Sequence, residues 1–145
     1  MDMSYDNKGR TEALQRLYDR LDFEEFPDGS MRLDNINIPA QQSFDTEEME
    51  GSIQAILARN IGQFVVIEFL IGTEQIVRKQ GMLFLVGRSY VTVYDEAENN
   101  FIVCDIFSVK FVYFYMPGKY PPLNYNLLPR GTQQPRGGAP QARRG

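Results

Sequence analysis

Apolar residues in this 145-residue chain concentrate between Ser52 and Met116, and their spacing passes from helical to alternating along the way. One periodic stretch precedes that block. Ala13, Leu14, Leu17, Tyr18 and Leu21 lie on one face of a short helix predicted over residues 10–21, with Thr11 as its cap. Docking of that face is expected, because Leu14, Leu17 and Leu21 would otherwise lie in water. Residues 23–29 end the helix at Asp28-Gly29, and 34–39 read as extended chain or loop. A second helix is predicted to open on Asp45-Thr46-Glu47-Glu48, carboxylates at its partly positive end. It continues through the stripe Met49, Ile53, Ile56, Leu57 and stops at Asn60-Ile61-Gly62.

From there the pattern is that of strands. Phe64, Val65, Val66, Ile67, Phe69 and Leu70 form a β-rich run buried on most of both sides, and Ile71-Gly72-Thr73-Glu74 turns it. The next strand spans 75–86, with Ile76, Met82, Phe84 and Val86 in one phase and Gly81 at an interruption where a bend or bulge is expected. Residues 89–94 alternate Val with Tyr or Thr, 95–100 form a hairpin loop, and 101–106 and 109–116 are the last two strands, joined at Phe107-Ser108. The expected fold is mainly β with flanking helices (α+β): a small SH3-like or Sm-like five-stranded antiparallel barrel preceded by a helix. An α+β sandwich with the helices on one open face is the alternative.

Charge divides the chain in the same way. Residues 1–50 hold 13 acidic and 5 basic side chains, 51–118 hold 6 and 5, and 119–145 hold 0 and 5. The organisation expected is an acidic leader (1–45), a helix-plus-barrel domain (46–118) and a disordered, basic Pro/Gly/Arg/Gln-rich tail (119–145). The lone Cys104 sits in an apolar strand and reads as a buried thiol. No run approaches the ~18 apolar residues of a membrane span, and the first residues lack a signal-peptide pattern, so synthesis in a cytoplasm is expected.

The chain has no histidine, so the commonest general base and metal ligand is missing. Neither catalytic, cofactor-binding nor metal-binding residues are assigned, and the expectation is a protein that is not an enzyme. Asp95, Glu96 and Glu98 read as solvated loop charges, and Asp105 as a carboxylate with a structural partner. Tyr90, Tyr94, Tyr113 and Tyr115 are candidates for one aromatic interface, with core packing as the competing reading. Arg130-Gly131 and Arg136-Gly137 could supply electrostatics to an RNA binder, whereas the acidic leader argues against nucleic acid.

Residues 47–114 resemble the GerQ-type spore coat proteins of endospore-forming bacteria. The resemblance is carried by Ser52-Ile53-Gln54-Ala55-Ile56-Leu57-Ala58-Arg59-Asn60-Ile61-Gly62-Gln63-Phe64-Val65-Val66, by Gly81-Met82-Leu83-Phe84-Leu85-Val86-Gly87-Arg88-Ser89-Tyr90-Val91-Thr92-Val93, and by Phe101-Ile102-Val103-Cys104-Asp105-Ile106 through Val112-Tyr113-Phe114. It implies a structural coat component made in the mother-cell cytoplasm and deposited in the spore coat. Other coat proteins, a cortex hydrolase needed in germination and further copies of itself are the implied partners. Family members are cross-linked through lysine by a transglutaminase; here the corresponding candidates are Lys8 and, as acyl donors, Gln41, Gln42, Gln133 and Gln134. The chain departs from the family in its acidic leader and in carrying its Gln/Pro/Gly-rich segment at the C-terminal end.

Overall fold

A computed structural model describes residues 4–127, with 4–11 as helix backbone only. In chain order it contains helix α1 (Ser4–Arg20), strands β1 (Phe23–Glu25), β2 (Met31–Leu33) and β3 (Ile36–Ile38), and helix α2 (Ile53–Ala58). Strands β4 (Phe64–Ile71), β5 (Gln75–Val86), β6 (Tyr90–Asp95) and β7 (Asn100–Asp105) follow, then a 3-10 turn η1 (Ile106–Ser108), strand β8 (Val109–Phe114) and a second 3-10 turn η2 (Tyr125–Leu127). The fold is mostly β, with two antiparallel sheets in the orders β1-β2-β3 and β7-β6-β5-β4-β8. The hydrogen-bonded ladder leaves β7 and β8 as edges, so the larger sheet is open and a closed barrel is not part of the observed pairing.

That sheet nevertheless surrounds one core. Val65, Ile67 and Phe69 of β4, Leu83 and Val86 of β5, Val91 and Val93 of β6, Cys104 of β7 and Ile106 of η1 bury together with Phe44, Ala55 and Leu57, and Val112 of β8 packs against them. Both edge strands reach the same cluster, which requires the sheet to curl. The sharpest bend is a register shift between Leu83 and Leu85, which leaves Phe84 as an extra residue and flips the phase of β5. Leu83 and Val86 therefore face the inner core while Phe84 and Leu85 face outward. This corrects two expectations: the bulge is at Phe84, and Ile76, Met82, Phe84 and Val86 do not share one face, Ile76 being exposed. Gly81 serves a close crossing instead, since a Cβ there would stand 2.5 Å from the Tyr94 carbonyl oxygen.

The outer side of β5 and β6 is covered by the leader. Leu17 of α1, Ile38 of β3, Phe84, Leu85 and Tyr94 form a second buried cluster, joined by Leu14, Leu21, Phe23, Met31 and Leu33. Rings run through it from Tyr18 to Phe23 (5.3 Å), Phe84 (6.2 Å) and Phe101 (4.8 Å). The three short strands were not expected, and α1 begins at Ser4, so Thr11 lies inside the helix rather than capping it. The second helix is also shorter than the pattern implied. Gly51 adopts φ +85°, which no helix accommodates, so α2 starts after Ser52, whose Oγ accepts from the Ala55 N–H at 3.1 Å.

Because β5 is longer than its neighbours, each end of it has backbone that no strand pairs. Val65 pairs with Gly81 toward β4, so Gln80 turns its N–H and C=O toward the β6 side, where β6 has already ended. Asn126 fills that gap: its Oδ1 accepts from Gln80 N–H (2.8 Å) and its Nδ2 donates to Gln80 C=O (2.7 Å). At the other end Gln41 repeats the arrangement on Val86, accepting from its N–H (2.8 Å) and donating to its C=O (2.9 Å). Two side-chain amides thus stand in for missing strands. Gln41 is tied into the sheet rather than loose, and residues 119–127, expected in a disordered tail, hold Asn126 in place.

Candidate functional site

Two features compete for attention: a cavity under α1 and the free edge at β8. The cavity, about 490 Å³, lies between α1, the ends of β4 and β5, and the segment after β8; Arg16, Leu17, Phe64, Tyr94, Tyr115 and Tyr120 are among its lining. Three of its charged groups, Arg20, Glu96 and Asp95, are held in contacts within the chain. Arg20 donates to the Tyr94 hydroxyl (2.8 Å) and to Glu96 (3.1 Å), and that hydroxyl donates in turn to Asn99 Oδ1. Asp95 accepts from the N–H groups of Ala97 (3.0 Å) and Glu98 (3.3 Å) and from Asn126 Nδ2 (2.9 Å). The network clamps α1 and the last segment onto the sheet. Asp95 is therefore buried, at 5% exposure, which corrects its reading as a solvated loop charge.

The β8 edge is different in kind. Phe111 is 59% exposed and Tyr113 47%, with Phe114 and, just beyond the strand, Met116 also open to solvent. Phe107 of η1 and Val103 of β7 add to the exposed apolar surface. Phe111 and Tyr113 lie two apart on one face of β8, their rings 6.3 Å apart, opposite Glu68 and Val66 of β4. Among the described residues β8 pairs with β4 alone, and between Phe111 and Phe114 it carries no charge. Natural sheets ordinarily blunt such an edge with charge, proline or a covering segment.

The four tyrosines do not form the one aromatic face expected of them. Tyr90 and Tyr94 pack in the cluster beneath α1, Tyr94 at 3% exposure, while Tyr113 and Tyr115 lie beyond β5 and β4, on and just after β8. Tyr113 is open, and Tyr115 meets Phe64 edge-on at 6.0 Å. Residues that sequence reasoning passed over, Phe111, Phe114 and Met116, complete the open edge. Their signal was present: residues 111–116 lack the polar alternation that would mark one face as solvated.

Among the cross-linking candidates, Gln41 is engaged with Val86 and Gln42 is exposed, Lys8 falls within the span of α1, and Gln133 and Gln134 lie outside the described residues. Asp105 is a structural carboxylate: it accepts from the Phe107 N–H (2.9 Å) and the Ser108 hydroxyl (3.1 Å), capping η1. Cys104 is buried, and burial pushes its thiol up to about 11, against a smaller opposing pull from Lys79. Among the described residues no group of three or more His, Cys, Asp or Glu is placed to hold a metal ion, and no helix is long and apolar enough to cross a membrane. Neither family models nor curated proteins match the sequence.

Proposed function

We propose that this protein is a non-enzymatic assembly protein, a scaffold or adaptor of the bacterial spore coat that helps to localise a germination hydrolase. The observation that carries the assembly role is the uncovered apolar edge at β8, where aromatic side chains and unpaired backbone coincide. Placement in the spore coat rests on the GerQ-type resemblance of residues 47–114. On this reading the larger sheet belongs to a barrel of SH3 or Sm type. Its strand order, the bulge in β5, the short η1 joint and a core drawn from all five strands support that assignment.

The second reading is an Sm-like RNA-associated protein using an Arg-Gly tail, which the same architecture favours. Light scattering on the purified full chain across concentration, with and without RNA, separates the two. Assembly predicts self-association indifferent to RNA, and recovery of the protein in the coat fraction of spores. A species that changes size only with RNA, and loses that change as salt rises, would reject the assembly reading.

A further inference from the structure

The geometry points to a second copy of this chain as the partner of β8: two β8 strands pair antiparallel about Val112 and join the larger sheets of two molecules into one. This rests on the assembly reading and names its partner. The backbone parity of β8 follows from its pairing. Tyr115 N–H donates to Phe64 C=O at 2.9 Å, and Tyr113 and Phe111 stand opposite Val66 and Glu68 in the same register. Odd positions therefore bond inward to β4, and Val112 and Phe114 direct their N–H and C=O groups outward. An antiparallel pairing centred on Val112 lets each copy's Val112 bond the other's, and it is self-complementary, as a two-fold contact requires.

Side chains agree with that register. Phe111 of one copy falls across from Tyr113 of the second copy, extending the ring pair already formed within β8. No like charges oppose each other, because β8 has one charged residue, Lys110. Lys110 sits at the register shift opposite Glu68/Phe69 and bounds the usable edge, keeping the pairing short and defined. The other free edge is a poorer fit: of the side chains on β7 only Val103 is both apolar and strongly exposed, and the strand ends in Asp105. Among the described residues, side-chain amides close part of the unpaired backbone of β5, Asn126 on Gln80 and Gln41 on Val86, and none closes β8.

Sedimentation velocity of the full chain, wild type beside Val112→Pro and Tyr113→Lys, tests this. Proline at 112 removes an outward donor while the bonds to β4 remain, and lysine at 113 charges the outer face. Each is expected to raise the dimer dissociation constant at least about tenfold, with far-UV circular dichroism unchanged. Tyr113→Lys, altering only an exposed side chain, gives the answer if Val112→Pro does not fold. A dimer that persists undiminished in folded Tyr113→Lys overturns the β8 contact but leaves self-assembly standing. A wild-type chain that stays monomeric at every concentration overturns both.

Discussion

Replacing Asn126 with alanine removes three hydrogen bonds, two to the Gln80 backbone at 2.8 and 2.7 Å and one to Asp95 at 2.9 Å. Gln80 and Asp95 are 8% and 5% exposed, so water replaces the lost amide poorly. A buried polar group left without its partner costs about 1–3 kcal/mol. Asp95 keeps its bonds from Ala97 and Glu98, and the Gln80 groups lie at a sheet rim, so the lower part of that range applies to each bond. The expected loss is about 2–4 kcal/mol in all. Urea unfolding followed by circular dichroism reads it as a lower midpoint at an unchanged slope. Asn126→Asp should lose at least as much, because it sets a second carboxylate against Asp95 and gives up the donor. A loss below about 0.5 kcal/mol for Asn126→Ala would refute the idea that this amide seals the bent strand. Gln41→Ala, about 20 Å away along β5 at the usual rise per residue, should add independently in the double variant.

Three further outcomes follow from the same contacts. Gly81→Ala should destabilise by about 1–3 kcal/mol in the same urea assay, because its Cβ meets backbone of β6 rather than a movable side chain. Tyr94→Phe keeps the buried ring but loses the hydroxyl that accepts from Arg20 and donates to Asn99; about 1–2 kcal/mol and faster proteolysis within α1 are expected, and an unchanged cleavage rate would contradict the clamp. Burial raises the Cys104 thiol from 9.0 to about 11, so the unfolded chain ionises first. Its contribution is fully present below pH 9.0 and is lost as pH rises to about 11, by roughly 2–3 kcal/mol; Cys104→Ala should lack that segment of the pH profile.

The five strands of the larger sheet were legible because Val91 and Val93 alternate with Tyr90, Thr92 and Tyr94, and because β4 is continuously apolar; β5 was bounded correctly at Gln75 and Val86. Periodicity failed where elements are shorter than their period. Strands β1 to β3 have three residues each, too few to show alternation, and are recognisable only by their turns, with Gly29 at φ +89° and Asp34 at φ +58°. The bulge at Phe84 escaped notice because Phe84 and Leu85 are both apolar on either face. The tyrosines at 90, 94, 113 and 115 look equivalent in sequence, and only strand order shows that β4 and β5 stand between the two pairs. Likewise Gln41 and Asn126 carry no sequence signal, since their targets are backbone groups left over by the length of β5.

Residue-resolved amide hydrogen exchange at low and high protein concentration tests the central claim most directly. If β8 is the assembly surface, the amides of Val112 and Phe114 exchange freely in dilute protein and become protected as concentration rises, while Tyr113 and Tyr115, bonded to β4, are protected throughout. Fast exchange at Val112 and Phe114 under conditions where the protein is fully associated would contradict the account.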